Sequence, residues 1–130
     1  MFRKQQGVSL IELMVVVGIV GITLTIAIPL YTDYVDTSRR GAMLQNMEQI
    51  RLFEEEARLS NGSYQAGTYD PADPANVAGT TGLSDSIGWS PGTSSDEIKY
   101  VVSAVTSTTF TITATHVATN TVERKNYTKP

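Results

Sequence analysis

From Leu13 to Leu30 the chain carries 18 consecutive residues (13 to 30) without one charged side chain. A run of about 18 or more apolar residues is long enough to cross a bilayer as a helix. In lipid the backbone must satisfy its own hydrogen bonds, and a helix does so within one segment. A short basic head, MFRKQQG, precedes the block, and one acid, Glu12, stands just inside it. A carboxylate near the start of a membrane segment is costly unless it has a partner, so Glu12 is a candidate functional residue.

An ordinary secretory signal is cut after its apolar region, at small residues spaced A-x-A. Here that region ends in Ala27-Ile28-Pro29-Leu30-Tyr31, without such a site. A plain membrane anchor is one reading. The spacing of Gly7, Glu12 and Pro29 supplies another: the stretch resembles the N-terminus of a type IV pilin of the type IVa-like kind. The match is close over about the first third and loose along the helical continuation to Asn61-Gly62-Ser63-Tyr64. The resemblance implies that a prepilin peptidase cuts between Gly7 and Val8 and methylates the new Val8 amine. It implies that Glu12, fifth after the cut, pairs with the Val8 amine of a neighbouring subunit and sets the axial register of a filament. It also implies that Gly21 to Pro29 loses helicity in assembled filaments. Two features depart from the family pattern: Val8 stands where Phe is usual, and no cysteine is present to close the disulfide that many pilins have.

The residues themselves say why this segment is weak. Gly18 and Gly21 lack side chains, and Pro29 has no N–H, which leaves the Thr25 carbonyl without its helical donor. Thr23 and Thr25 carry hydroxyls able to bond nearby carbonyls. Gly21, Thr23, Thr25 and Pro29 are therefore the expected helix-weakening set, with small-residue helix contact or a mild kink as the simpler account. Gly41 is a further weak point for which the sequence gives no reason.

The helix is expected to continue. Met43, Met47, Ile50, Phe53 and Ala57 recur at steps of four and three, one apolar stripe. Arg39, Arg40, Glu48, Arg51, Glu54, Glu55 and Arg58 fall largely off it, and Glu54-Glu55-Glu56 reads as a solvated face. Glu54 and Arg58 are four apart in the favourable order. Asn61-Gly62 is a stop signal. At about 1.5 Å per residue, a helix from Val8 to Ser60 extends about 80 Å.

Residues 62 to 97 are rich in Gly, Ser, Thr, Asp and Pro and read as loop, anchored by Leu83, Ile87 and Trp89. Beyond them Ile98, Tyr100, Val102 and Ala104 alternate with Lys99, Val101, Ser103 and Val105. Thr106 to Thr109 turn the chain. Phe110, Ile112 and Ala114 alternate with Thr111, Thr113 and Thr115, one dry face and one wet face. Val122 to Thr128 is a third strand at an edge. The expected class is α+β, a long N-terminal helix whose second half lies on a small antiparallel sheet. The divisions are leader 1–7, filament-core or transmembrane half-helix 8–30, amphipathic half 31–61, loop 62–97, and sheet with C-terminal tail 98–130. The type IV pilin resemblance implies the same fold.

Composition removes several function classes. Ten Lys+Arg stand against 13 Asp+Glu, and removal of Arg3 and Lys4 with the leader leaves 8 against 13. A general nucleic-acid binder needs a basic surface, and none is expected. His116 is the one histidine and there is no cysteine, so a catalytic or metal role is disfavoured; His116 is expected to cap the sheet edge. No G-x-S-x-G or phosphate-loop pattern occurs. Asp70, Asp73, Asp85 and Asp96 are a conceivable calcium set of irregular spacing, with turn formation the simpler reading. Tyr31 and Tyr34, one turn apart near the membrane boundary, read as aromatic anchors or subunit contacts.

The expectation is a structural subunit, not an enzyme, with no cofactor. Its partners are copies of itself, a prepilin peptidase that is also a methyltransferase, and the pilus assembly machinery of the inner membrane. It waits in that membrane with its sheet in the periplasm, then enters an extracellular pilus serving motility, adhesion or DNA uptake. The alternatives are a minor pilin, a type II secretion pseudopilin, or a membrane-anchored extracytoplasmic binding domain.

Overall fold

A computed structural model describes residues 7–72, 82–92 and 97–129. The elements are α1 (Leu10–Asn61), β1 (Gly67–Tyr69), α2 (Leu83–Ile87), β2 (Ile98–Ser103), β3 (Thr109–His116) and β4 (Val122–Thr128). The chain divides into two compact units, residues up to Arg39 and residues from Arg40 onward.

The first unit consists, among the described residues, of the lead-in 7–9 and the first part of α1. The helix is unbroken through Gly18, Gly21 and Pro29. Three hydroxyls bond carbonyls one turn back. Thr23 Oγ1 donates to Ile19 O (3.1 Å) and Val20 O (2.9 Å), Thr25 Oγ1 to Gly21 O (2.9 Å), and Thr32 Oγ1 to Pro29 O (2.8 Å). The segment read as helix-weakening is thus helical throughout in the single chain, its threonine hydroxyls satisfied locally.

The second unit holds the core. Its sheet is an antiparallel meander in the order β1-β2-β3-β4. Registers such as Tyr69↔Tyr100, Tyr100↔Ala114 and Ile112↔Lys125 tie the strands together. Ile98, Tyr100, Val102, Phe110, Ile112 and Ala114 are buried on one face, as the alternation predicts. Met43, Met47 and Ile50 of α1 close over them, with Tyr64, Leu83 and Trp89 filling the margins. Each such aliphatic side chain contributes about 1.5–3 kcal/mol on burial. Trp89 meets Tyr100 edge-on at 5.3 Å and Tyr69 at 6.0 Å.

Four expectations need correction. The stripe of α1 runs Met43, Met47, Ile50, Glu54, Ala57, with Phe53 displaced to 37% exposure and Glu54 fully buried. Glu54-Glu55-Glu56 is therefore not a solvated face: only Glu56 is exposed, and Glu55 is tied to Arg58 and Tyr64. Within the expected loop lie β1 and α2. Strand β1 pairs with β2, bridges Gly82 in parallel, and makes the sheet four-stranded. His116 ends the inner strand β3 instead of capping the sheet's edge, and it is buried.

Two left-handed residues explain where elements stop. Gly62 (φ 81) ends α1, its N–H bonding Arg58 O at 2.8 Å. Ala104 (φ 53) ends β2 at Ser103, two residues short of Val105, to which the alternation would carry it.

Candidate functional site

At the N-terminus, Gly7, Val8 and Ser9 lie outside the helix and are exposed. Ser9 is the N-cap: its carbonyl accepts Leu13 N–H at 3.2 Å, the first helical bond. Its own N–H donates to Glu12 Oε2 at 3.4 Å, a long contact. Ser9-Leu10-Ile11-Glu12 is the S-x-x-E pattern of a capping box, with the acid reaching back over the free N–H groups and positive end of the helix. Capping of its own helix terminus is the simpler role the sequence offers for Glu12, beside marking the processing site, and the contact to Ser9 is of that kind. Glu12 remains exposed, with no other partner among the described residues.

A Cβ built on Gly7 meets nothing within 4 Å, and the same holds for Gly18, Gly21 and Gly41. The chain's own fold therefore makes no demand for glycine at these positions. From Val8 to Leu30 the large apolar side chains stand exposed on every side of the helix. A surface of this kind belongs in lipid or among other helices, and the helix is long and apolar enough to cross a membrane.

In the second unit the polar surface is organised by pairing. Arg40 meets Glu123 at 2.7 Å, Arg51 meets Glu48 at 3.2 Å, Arg58 meets Glu55 at 2.9 Å, Lys99 meets Asp70 at 2.9 Å, and Lys125 meets Glu48 at 2.9 Å. In the first unit Arg39 meets Asp36 at 3.4 Å. The Lys125 ammonium, then Arg51 and the Tyr127 hydroxyl, hold the Glu48 carboxyl below its ordinary value. Burial, reinforced by Glu48, pushes Tyr127 up to about 12. The Tyr64 hydroxyl and Arg58 hold Glu55 down.

Of the four candidate aspartates, Asp70 and Asp85 lie among the described residues. Asp70 is lowered chiefly by Lys99 and also accepts Ala72 N–H at 3.0 Å, which makes it a turn former. Asp85 is exposed on α2, and Asp73 and Asp96 lie outside the described residues, as do residues 1–6 of the leader. Among the described residues no three potential metal ligands cluster. His116 Nδ1 accepts Thr119 N–H at 3.1 Å, so the ring proton sits on Nε2, which donates to Glu97 Oε2 at 2.9 Å. This arrangement folds the β3–β4 turn and leaves no free imidazole nitrogen for a ligand.

Residues 29–125 match the family model described as "Type IV minor pilin ComP, DNA uptake sequence receptor". The chain is a type IV pilin. Residues 2–28 of the pilin match the prokaryotic N-terminal methylation motif, which spans Gly7, Val8 and Glu12. The type IV major fimbrial protein FimA of Dichelobacter nodosus (strain VCS1703A) is 31% identical to the pilin over 121 residues, covering 75% of each chain. A fimbrial protein of Dichelobacter nodosus is 40% identical over 70 residues, 52% of the pilin and 42% of that protein. No solved structure matches the pilin. As a type IV pilin with an apolar N-terminal helix, it is a membrane-anchored subunit of an extracellular pilus.

Proposed function

We propose that this pilin builds the shaft of its pilus and is not the pilus's DNA receptor. The observation that carries this reading is the fate of its cations. Of the eight cations left after the leader, six, Arg39, Arg40, Arg51, Arg58, Lys99 and Lys125, are each within ion-pair distance of a carboxylate, which leaves only Arg124 and Lys129 without one among the described residues. Once the leader is gone, 8 Lys+Arg face 13 Asp+Glu. A DNA receptor needs unpaired cations to displace counterions from phosphates, and that electrostatic share dominates non-specific affinity. The relatives named as major fimbrial proteins point the same way.

The pilin is a substrate of processing, not an enzyme. The prepilin peptidase cuts between Gly7 and Val8, an exposed junction ahead of the helix, and methylates Val8. Arg3 and Lys4 hold the leader on the cytoplasmic side, so the sheet faces the periplasm. On assembly the apolar half-helix moves from lipid into a bundle of like helices. Glu12, held among the described residues only by its long contact to Ser9, pairs with the Val8 amine of a neighbour. An unpaired carboxylate in an apolar bundle is costly, whereas a charge pair there is strongly attractive. Apolar surfaces slide past one another; a buried pair fixes the step.

Deletion of the gene with filament counting, beside a salt titration of the purified subunit on duplex DNA, tests the assignment. Loss of all filaments with negligible DNA affinity supports it. Normal filament numbers in the deletion strain, with tight and sequence-selective DNA binding, would assign a minor DNA-receptor role instead, the one carried in the description of the matching family model.

A further inference from the structure

One side chain on the sheet-facing stripe of α1 does not fit its surroundings by polarity. Glu54 stands between Ile50 and Ala57 and is 0% exposed. Its Oε2 accepts Gln65 N–H at 2.9 Å, across the end of the helix. Its Oε1 is buried and has no hydrogen-bond partner among the described residues. Glutamates are almost never fully buried unless paired, and an unsatisfied buried oxygen calls for an explanation.

Among the described residues no cation answers Glu54. On its own helix Arg51 is held by Glu48 and Arg58 by Glu55, while Glu55 adds a like charge. At the junction Tyr64 donates to Glu55. On the helix-facing side of the sheet, Tyr100 is bonded to Asn46, His116 to Glu97, Glu123 to Arg40, and Lys125 and Tyr127 to Glu48. Tyr69, on β1, packs against Trp89 and Tyr100.

We propose that Glu54 is a proton-operated latch between the end of α1 and the segment that enters β1. Protonated, the side chain is neutral: Oε2 still accepts Gln65 N–H, and the proton sits on Oε1 inside the core. Ionised, it places a charge in apolar surroundings with one oxygen unsolvated. Relief comes from opening residues 62–66 to water, with Gly62 at φ 81 as the pivot. The same opening lifts Tyr64 from Phe110, whose ring centroid lies 4.5 Å away. The latch is tightest in mild acid and loosens as pH rises. Burial, opposed by the Gln65 N–H, moves the carboxyl from 4.5 up to about 7, which fixes the window. Opening restores the ordinary value, so the open fraction climbs between pH 4.5 and 7 and is flat above.

The test is amide exchange at Gln65 in the full processed subunit in detergent micelles, from pH 4.5 to 8, corrected for intrinsic exchange. The wild-type opening constant is expected to rise about 100-fold from pH 4.5 to 7 and then level, since the balance of open over closed changes up to tenfold with each pH step of one inside that window. Glu54→Gln, neutral at every pH, is expected to show no such rise. Equal pH dependence in the two proteins would overturn the latch. If Glu54→Gln fails to fold, the Glu54 carboxyl carbon resonance in wild type decides: a midpoint near 7 supports the proposal and one near 4.5 overturns it.

Discussion

Lys125 on β4 places its Nζ 2.9 Å from Glu48 Oε1 on α1, and the Tyr127 hydroxyl donates to the same oxygen at 3.1 Å. Arg51 takes the other oxygen at 3.2 Å and lies 5.7 Å from the Tyr127 ring centroid. The edge strand is thereby fastened to the helix through a single carboxylate. Glu48→Ala should lower the stability of the second unit by about 1 kcal/mol, kept small because the carboxylate is 44% exposed. Denaturant melts of the full subunit in detergent check this, and an unchanged midpoint would deny Glu48 the role.

The carboxylates of the second unit pull in opposite directions with pH. Glu48, Glu55 and Asp70 have lowered values in the folded chain. Their contribution is present above the ordinary carboxylate range and is lost as pH falls through the lowered values. Glu54, raised to about 7, acts in the other sense: the cost of burying its charge is absent below 4.5 and fully present above 7. Thermal unfolding across pH should peak near pH 5 and decline on both sides. Glu54→Gln should remove the decline toward pH 7 and keep the acid one. A profile that climbs steadily to pH 8 would contradict this balance.

The His116 ring holds the β3–β4 turn by accepting Thr119 N–H. His116→Leu fills the space but leaves that N–H without its acceptor, at a cost of about 1–3 kcal/mol. Thermal melts of the variant measure it. A variant as stable as wild type would show that the ring only fills volume.

How far the sequence speaks for itself differs by site. Gly7, Val8 and Glu12 form a linear pattern, so the candidate processing site is legible without a fold. The alternation in 98–103 and 110–115 is equally plain, because one face is dry and the other wet. Phe53 against Glu54 is not decidable by periodicity: steps of three and four fit either residue, and polarity favours Phe53. What buries Glu54 is the Gln65 N–H, a contact 11 residues away that no local pattern records. Strand β1 has three residues, one of them glycine, and α2 has five. Neither is long enough to show a period, and both exist because Tyr69, Leu83 and Trp89 find the core.

Glu12→Ala should still be cut after Gly7 and still enter the membrane, because neither step uses the carboxylate's pairing. It should assemble poorly when it is the only subunit present, and enter wild-type filaments occasionally, since its own Val8 amine can meet a neighbour's Glu12. Mass analysis confirms cleavage, and filament counts give the outcome. Abundant filaments from fully cleaved mutant would leave Glu12 with nothing but its capping contact to Ser9.

The most direct measurement is the intact mass of this subunit recovered from filaments sheared off the cell surface. The account predicts a chain that begins at Val8 and carries one extra methyl group on its amine, with Gly7→Leu giving full-length protein that stays in the membrane. A filament subunit that begins at Met1, or filaments that contain none of this chain, would contradict it.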